Sequence, residues 1–378
     1  MTEQTQYDYW NKRFDTSKKE MSKENHDLIK ERLADVKDRL SKRTFINQAR
    51  LLINFGKWCG KNKKIKKLNK LDLIDYFKTI EYQQPVTIST TKQVIKTFLK
   101  EVNKEAADTI HPRKVENNLT PNDLLTEAEI TAMINFAPNA RDKALFAILY
   151  DAGCRKTELL STRIKDASFD KYGCLLWLPV SKTKPRPARL VFASSYLREW
   201  LDAHPNKDKK DSFIFCSLLE PHGQLSDNGL YEQIKRIAKK AGITKRVTPH
   251  RWRATRSTDL SKKVSEQSLK NIMGWSPNSQ VVKVYVHLSG ADIDEAMLAA
   301  NGIVKDEEDK PLSLLATERC QRCKELNDKN REVCYKCGLP LSEGARLQAE
   351  EEERKKIGFE VSKQMAELRK QLDKDSLS

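Results

Sequence analysis

Four basic and two aromatic residues between positions 155 and 285 have side chains suited to phosphoryl transfer. They are Arg155, Lys182, His250, Arg253, Trp275 and Tyr285. Cleaving a phosphodiester without a metal ion requires an oxygen nucleophile, positive donors for the charge that builds up on the phosphoryl oxygens, and a proton for the departing 5′ oxygen. Tyrosine, arginine and lysine can supply these three functions in turn.

The two arginines are the candidates for holding the phosphate, because a guanidinium is always charged and its planar fork matches two phosphate oxygens. Tyr285 would attack the phosphorus and leave a 3′-phosphotyrosine, whose bond retains the energy of the diester, so that a second 5′ hydroxyl can rejoin the strand without ATP. His250 could accept the phenolic proton or bind a phosphate oxygen, since imidazole titrates near neutral pH. Trp275 offers an indole N–H, which only donates. Glu158, three residues after Arg155, is expected to be a structural partner of that arginine.

The order and local context of these residues give the pattern its weight, since each alone is common. The contexts are, in order, DAGCRKTELL, SKTK, TPHRWR, MGWSP and VVKVYVHLSG. The pattern resembles that of the tyrosine recombinases, the phage-integrase family, and LYDAGCRKTELL together with GW and YVHLSG is most similar to archaeal integrases. The resemblance covers roughly residues 125–303 and implies a catalytic role for all six positions.

The resemblance also assigns what the chemistry leaves open. It implies that Lys182, on a β-hairpin, is the general acid that protonates the leaving 5′ oxygen, with Lys184 as the rival for this role. It implies that Trp275 mainly packs and positions the helix that bears the nucleophile, and that such proteins act as homotetramers on DNA, being monomers or dimers when free. Trp275 and Tyr285 are ten residues apart, one more than in the family pattern, and the segment SPNSQ can absorb the extra residue in a loop.

The elements around these residues predict a mixed α and β catalytic domain over residues 125–303. LTEAEITAMINFA is predicted as an amphipathic helix and RDKALFAILYDAG as a strongly apolar one, which ends at Gly153 as helix carboxyl ends prefer. CLLWLPV and ARLVF are typical of strands, separated by the basic loop SKTKPRP. Helical patterns resume in LREWLDAHP, in LYEQIKRIAKKAGI and from Arg251 to Met273.

An all-helical domain is predicted over residues 1–103. Its clearest helix, preceded by Ser41 as a possible cap, has apolar residues at three- and four-residue spacing. They are Phe45, Ala49, Leu52, Phe55 and Cys59. The resemblance identifies this segment as a core-binding (SAM-like) DNA-binding domain. Residues 104–124, polar and with two X-Pro pairs, are predicted as a linker.

Four cysteines near the carboxyl end have the spacing C-x2-C-x10-C-x2-C. They are Cys320, Cys323, Cys334 and Cys337. Two such knuckles can place four thiolates around one tetrahedral Zn²⁺, so residues 316–341 are predicted to form a structural zinc ribbon without an open coordination position. Whether it binds DNA, binds protein or only folds the tail is left open by the sequence. Cys59, Cys154, Cys174 and Cys216 lie singly in apolar surroundings and are expected to be buried, reduced thiols.

The last segment, residues 342–378, is predicted as a charged helix. Val361, Met365, Leu368 and Leu372 are spaced as a coiled-coil seam, and the alternative is a single solvated helix.

The composition indicates a polyanionic partner, because 70 Lys and Arg against 53 Asp and Glu give a net charge of +17. No apolar run is long enough for a membrane span, and the first residues have no apolar signal core. We therefore expect a protein of the cytoplasm, associated with the nucleoid, of archaeal or mobile-element origin, with no membrane partner.

The sequence thus predicts an integrase, a site-specific recombinase acting on double-stranded DNA, that needs no cofactor for strand cleavage. Two alternatives remain: a type IB topoisomerase, which would use the same residues to relax supercoils, and a DNA-binding regulatory or accessory protein without catalysis.

Overall fold

The computed structural model describes residues 3–113, 119–180, 184–288, 297, 301 and 313–375. The chain divides into two compact units, Met1–Asn118 and Leu119–Ser378. Among the described residues, no helix is both long and apolar enough to cross a membrane.

The first unit is helical in its described part. Its helices are α1 (Glu3–Ser17), α2 (Lys23–Val36), α3 (Lys42–Cys59), α4 (Lys70–Lys78), α5 (Pro85–Val102) and α6 (Lys104–Asp108). The helix α3 begins after Ser41, whose side chain accepts a hydrogen bond from the backbone N–H of Thr44, as N-cap residues do. The apolar face predicted for α3 is buried throughout and packs in the core of the unit with α1, α2 and α5.

The start of the predicted linker is folded, which differs from the expectation. Asn103 caps α6 by accepting a hydrogen bond from the N–H of Ala106, and Ala106, Ala107 and Ile110 are buried in the core of the first unit. A five-residue helix is too short to show a period, so the sequence does not indicate that these side chains are buried.

The second unit is mixed α and β. Its helices are α7 (Glu127–Asn135), α8 (Ala140–Asp151), α9 (Lys156–Leu160), α10 (Ser194–Asp202), α11 (Asp227–Lys240), α12 (Pro249–Ser261), α13 (Glu266–Met273), α14 (Val281–Leu288) and α15 (Glu343–Asp375). Its strands are β1 (Ala167–Asp170), β2 (Gly173–Leu178), β3 (Arg186–Leu190), β4 (Thr317–Arg319) and β5 (Leu326–Asp328).

Helix α8 is the centre of this unit, and α7, α10 and α12 pack against it. Phe146 of α8 stacks on Trp252 of α12, with ring centroids 5.8 Å apart. The sheet is antiparallel in the order β1-β2-β3, and β2 and β3 form the predicted hairpin. The helix predicted from Arg251 to Met273 is interrupted, because Ser265 caps α13 by accepting from the N–H of Ser268.

The carboxyl-terminal elements are the pair β4 and β5, joined antiparallel, and the helix α15. Every described side chain of α15 from Arg346 to Ala366 is exposed. Val361 and Met365 of the predicted seam are among them, while the side chains of Leu368 and Leu372 lie outside the described residues.

Candidate functional site

Arg155 lies at the junction between α8 and α9. The chain leaves α8 through Gly153, which has a φ of +52°, and Arg155 is the N-cap residue of α9. Its backbone N–H donates to Glu158 Oε2 over 2.9 Å, and its Nη1 donates to Glu158 Oε1 over 2.6 Å. The carboxylate of Glu158 is fully buried, so this pairing fixes the arginine at the helix start.

Arg253 reaches the same junction from α12. This helix begins at Pro249 after Thr248, whose side chain accepts from the N–H of Arg251. Arg253 Nη1 donates to the carbonyl oxygen of Gly153 over 2.8 Å, and Nη2 donates to that of Met273 over 2.6 Å. Burial and, next, the charge of Arg155 lower the pKa of Arg253 to about 10. The guanidinium therefore remains charged at neutral pH in a site crowded with positive charge.

Tyr285 lies on α14 and is buried, with 3% of its surface exposed. Its ring is stacked on that of Trp275, with centroids 5.4 Å apart and an interplanar angle of 3°. Arg253 Cζ lies 5.4 Å from the centroid of the Trp275 ring. Burial raises the pKa of the Tyr285 phenol above its usual value, although the charges of Arg253 and Arg155 act in the opposite direction. The phenol is thus protonated at neutral pH and needs a base in order to attack.

These side chains line one cleft of about 640 Å³. Of the residues predicted from sequence, it contains Arg155, His250, Arg253, Trp275 and Tyr285. Lys182 lies outside the described residues. Lys184, its rival, is exposed in the connection between β2 and β3 and does not line the cleft.

Two further residues of the cleft were not predicted from the sequence. Lys156 donates to Asp227 Oδ2 over 2.5 Å, and its Nζ lies 4.9 Å from the centroid of the Tyr231 ring, which also lines the cleft. Lys156 could have been predicted from the sequence, because it directly follows Arg155. Tyr231 lies on α11, and no sequence pattern marks it as a residue of the cleft. A second cleft of about 640 Å³ carries the basic side chains of Lys235, Lys239, Lys245 and Arg246.

Arg186, a buried arginine next to the site, was also missed. It lies at the start of β3, donates through Nη2 to Glu158 Oε2 over 3.2 Å, and donates through Nη1 to the carbonyl oxygen of Ile272. The sequence predicts only a basic loop, SKTKPRP, at this position.

The four cysteines of the knuckles come together. All four sulfur atoms lie within 4.8 Å of one another, and the Sγ atoms of the pairs Cys320–Cys337 and Cys323–Cys334 are 3.6 Å apart. A tetrahedral Zn²⁺ with Zn–S bonds of about 2.3 Å separates its sulfur ligands by about 3.8 Å, whereas a disulfide needs about 2.05 Å. Asn327 Nδ2 donates to Cys334 Sγ over 3.5 Å, as a donor beside a thiolate ligand would. The donor set fits a metal ion.

The cysteine-bearing segment packs on the outer side of α10. Asp328 accepts a hydrogen bond from the hydroxyl of Tyr196, and Arg331 Nη2 lies 2.5 Å from Glu199 Oε2. Arg331 Cζ also lies 4.8 Å from the centroid of the Tyr196 ring. The knuckles are therefore attached by polar contacts to the unit that holds the cleft, and Leu315, just before them, is buried in the apolar core of that unit.

Comparison with known proteins shows a similarity of part of the second unit to a family. Residues 123–291 match the phage integrase family. A tyrosine recombinase of Pseudothermotoga lettingae is 28% identical over 170 residues, which are 44% of this chain and 56% of the relative. The tyrosine recombinase XerA of Pyrococcus horikoshii is 27% identical over 204 residues, 49% of this chain and 64% of the relative. The chain thus spans less than two thirds of the length of these relatives.

Solved structures agree in fold. A lambda integrase dimer bound to a COC′ core site gives a TM-score of 0.59 at 13% identity, over 71% of this chain and 79% of that one. The XerH recombinase bound to its difH substrate gives 0.51 at 20% identity, over 68% and 78%. The cleft is formed by residues of the matched segment, and residues 123–291 of this chain are similar to the phage integrase family, in which the curated relatives are named tyrosine recombinases.

Proposed function

We propose that this protein is a site-specific DNA recombinase that cleaves and rejoins strands through a 3′-phosphotyrosyl intermediate, with Tyr285 as the nucleophile. The observation that carries the proposal is that two arginines and a buried tyrosine from separate elements line the same cleft. In the cleavage step the phenolic oxygen forms a bond to phosphorus, the bond to the 5′ oxygen breaks, and that oxygen leaves with a proton. In the rejoining step a 5′ hydroxyl reverses the exchange, so no ATP is consumed.

The roles of the other residues follow from their chemistry. Arg155 and Arg253 bind the non-bridging oxygens of the scissile phosphate and stabilise the charge that develops there. His250, at the start of α12, accepts the phenolic proton or binds the phosphate. Trp275 packs against the ring of Tyr285. Lys182 is the general acid, with Lys184 as its alternative.

The proposed partner is double-stranded DNA that contains recombination sites, with the protein acting as a tetramer. The net charge of +17 fits this partner, and the similar solved structures of lambda integrase and XerH are complexes with DNA. The helical first unit would act as the core-binding domain. Because phosphate contacts release counterions, binding is expected to weaken by a factor of about 10³ or more between 50 and 200 mM salt.

The cysteine cluster is proposed to hold one structural Zn²⁺, with all four positions taken by thiolates. Zinc would supply the folding free energy of a segment too small to form an apolar core, and it would take no part in strand cleavage.

A suicide DNA substrate, which traps the covalent intermediate, tests the proposal. The wild-type protein should form an adduct with the 3′ end of the cleaved strand, and Tyr285→Phe should form none. Tyr231→Phe is the matched control, because Tyr231 lines the same cleft and should be dispensable. Adduct formation by Tyr285→Phe that Tyr231→Phe abolishes would refute the assignment. Relaxation of plasmid without strand exchange would indicate a topoisomerase, and DNA binding without any adduct would indicate a regulator.

A further inference from the structure

The carboxylate of Glu158 is shared by two arginines. Oε1 accepts from Arg155 Nη1 over 2.6 Å, and Oε2 accepts from Arg186 Nη2 over 3.2 Å. All of Glu158 and nearly all of Arg186 are buried, with 0% and 7% of their surfaces exposed. Arg155 is the more accessible arginine, since 24% of its side chain is exposed and it faces the cleft.

The second arginine changes the charge that Arg155 presents to the cleft. A carboxylate paired with Arg155 alone would form a neutral pair, and a phosphate approaching that pair would meet little net charge. With Arg186 bound to Oε2, the negative charge of the Glu158 carboxylate is balanced by a buried guanidinium. Three guanidinium groups, including that of Arg253, then surround a single carboxylate and leave two positive charges in excess.

The pKa values agree with a positive cluster. Burial alone would raise the pKa of Glu158, yet the N–H of Arg155 and the charges of Arg186 and Arg155 lower it below its usual value. The carboxylate is therefore ionised at neutral pH. The pKa of Arg253 is also lowered, by burial and by the positive charges of Arg155 and Arg186.

Arg186 also joins three parts of the site. It begins β3, contacts Glu158 at the start of α9, and binds the carbonyl oxygen of Ile272 near the end of α13. The backbone makes room for it at Gly274, where a Cβ would lie 2.7 Å from Arg186 Nε.

We propose that Arg186 is a positioning residue that balances the charge of Glu158, so that the full positive charge of Arg155 is available to the scissile phosphate. This inference rests on the proposed function and names a residue for it outside the six of the sequence pattern. Arg186 does not line the cleft, so it acts through Arg155 and not by touching DNA.

Single-turnover adduct formation at saturating suicide substrate tests the charge balance. Arg186→Gln should slow it by about 10- to 100-fold, somewhat less than the loss of a direct donor to the reacting oxygens. Arg186→Lys, which retains the charge, should restore most of the rate. The decisive variant is Glu158→Gln with Arg186→Gln, which removes both charges and should react faster than Arg186→Gln alone. Arg189→Gln, an exposed arginine of the same strand paired with Asp170, is the matched control and should react as the wild type does.

A purely structural role predicts the opposite order, because the double variant loses two buried contacts and should be the slowest. An unaffected Arg186→Gln, or a double variant slower than it, would overturn the inference. If Arg186→Gln is unfolded at the assay temperature, the Lys variant and the double variant still decide.

A second readout separates this inference from the proposed function. If the wild-type protein forms no adduct, the proposed function fails, and the charge balance is measured with inorganic phosphate. Phosphate should raise the melting temperature of the wild type more than that of Arg186→Gln, and the double variant should recover the difference. Equal shifts in all three proteins would refute the charge balance.

Discussion

The stack of Trp275 on Tyr285 can be tested by separating its two candidate roles. The indole can act as packing that holds the nucleophile, or as an N–H donor to the phosphate. The parallel rings 5.4 Å apart favour packing. Three substitutions distinguish the roles: Trp275→Phe keeps an aromatic ring without the donor, Trp275→His keeps a donor on a smaller ring, and Trp275→Ala removes both.

The contacts of Trp275 indicate how much each substitution should change the free energy of unfolding and the rate. A stacked aromatic pair contributes about 0.5–1.5 kcal/mol beyond its buried area, and the contact of Arg253 with the indole contributes about 0.5–1 kcal/mol. Trp275 is half-buried, so its replacement by alanine should lower the free energy of unfolding by about 2–3 kcal/mol, below the 3–5 typical of fully buried aromatic residues. A displacement of the phenol by about 1 Å costs roughly 10²-fold in rate.

Single-turnover adduct formation and chemical unfolding should be measured on all three variants. Packing predicts that Trp275→Phe reacts within about fivefold of the wild type and that Trp275→Ala is slower by roughly 10²-fold. A donor to the phosphate predicts a loss of about 10²–10³-fold for Trp275→Phe as well. If Trp275→Phe is as slow as Trp275→Ala while Trp275→His is fast, the packing argument is wrong.

Three further predictions concern the surroundings of the site. Gly274→Ala should lower the free energy of unfolding by about 1–3 kcal/mol and slow adduct formation, because φ is +61° there and the new Cβ would displace Arg186; an unchanged rate would contradict this. Glu158→Gln should cost about 3 kcal/mol of unfolding free energy at pH 7. Folding lowers the pKa of Glu158, so the stabilisation by its carboxylate is present above the unfolded pKa of 4.5 and is lost as the pH falls through the folded pKa. The unfolding free energies of the wild type and of Glu158→Gln should therefore converge at acid pH and not at basic pH. Cys334→Ser should reduce the zinc content from about one ion per chain to none, whereas Cys59→Ser should leave it unchanged; a wild-type protein without zinc would refute the metal site.

Much of the second unit could be predicted because its signals are local. The apolar run of α8, its end at Gly153 and the two strands around a basic loop are each specified by neighbouring residues. Strand β1 was not predicted, because four residues with half-buried and exposed side chains in alternation show no apolar pattern. Its stability comes from pairing with β2, which is a contact that the sequence alone does not reveal.

The candidate site shows the same difference between features specified by neighbouring residues and features that depend on distant ones. Five of the six residues that the family pattern marks line one cleft. Arg186 and the attachment of the knuckles to α10 were missed, because both depend on partners far along the chain: Arg186 on Ile272, and Arg331 on Glu199. In a sequence, a buried arginine in a basic loop cannot be told from a solvated one, because the sequence does not show its hydrogen-bond acceptors.

Arg253 contacts the carboxyl ends of two helices, α8 and α13, and each of these helices ends at a glycine. Its guanidinium donates to the carbonyl oxygens of Gly153 and Met273, at the carboxyl ends of α8 and α13, where helix dipoles favour a positive charge. Both helices are followed by a left-handed glycine, Gly153 at φ +52° and Gly274 at +61°, which ends the helix there. A guanidinium has five N–H donors, so two can bind these carbonyls while others remain for a phosphate. A lysine at this position has a single nitrogen and could not join both helix ends and the phosphate in one plane. The two glycines end the helices at the point where both carbonyl oxygens reach Arg253, so the ends of two helices hold the guanidinium that we propose binds the scissile phosphate.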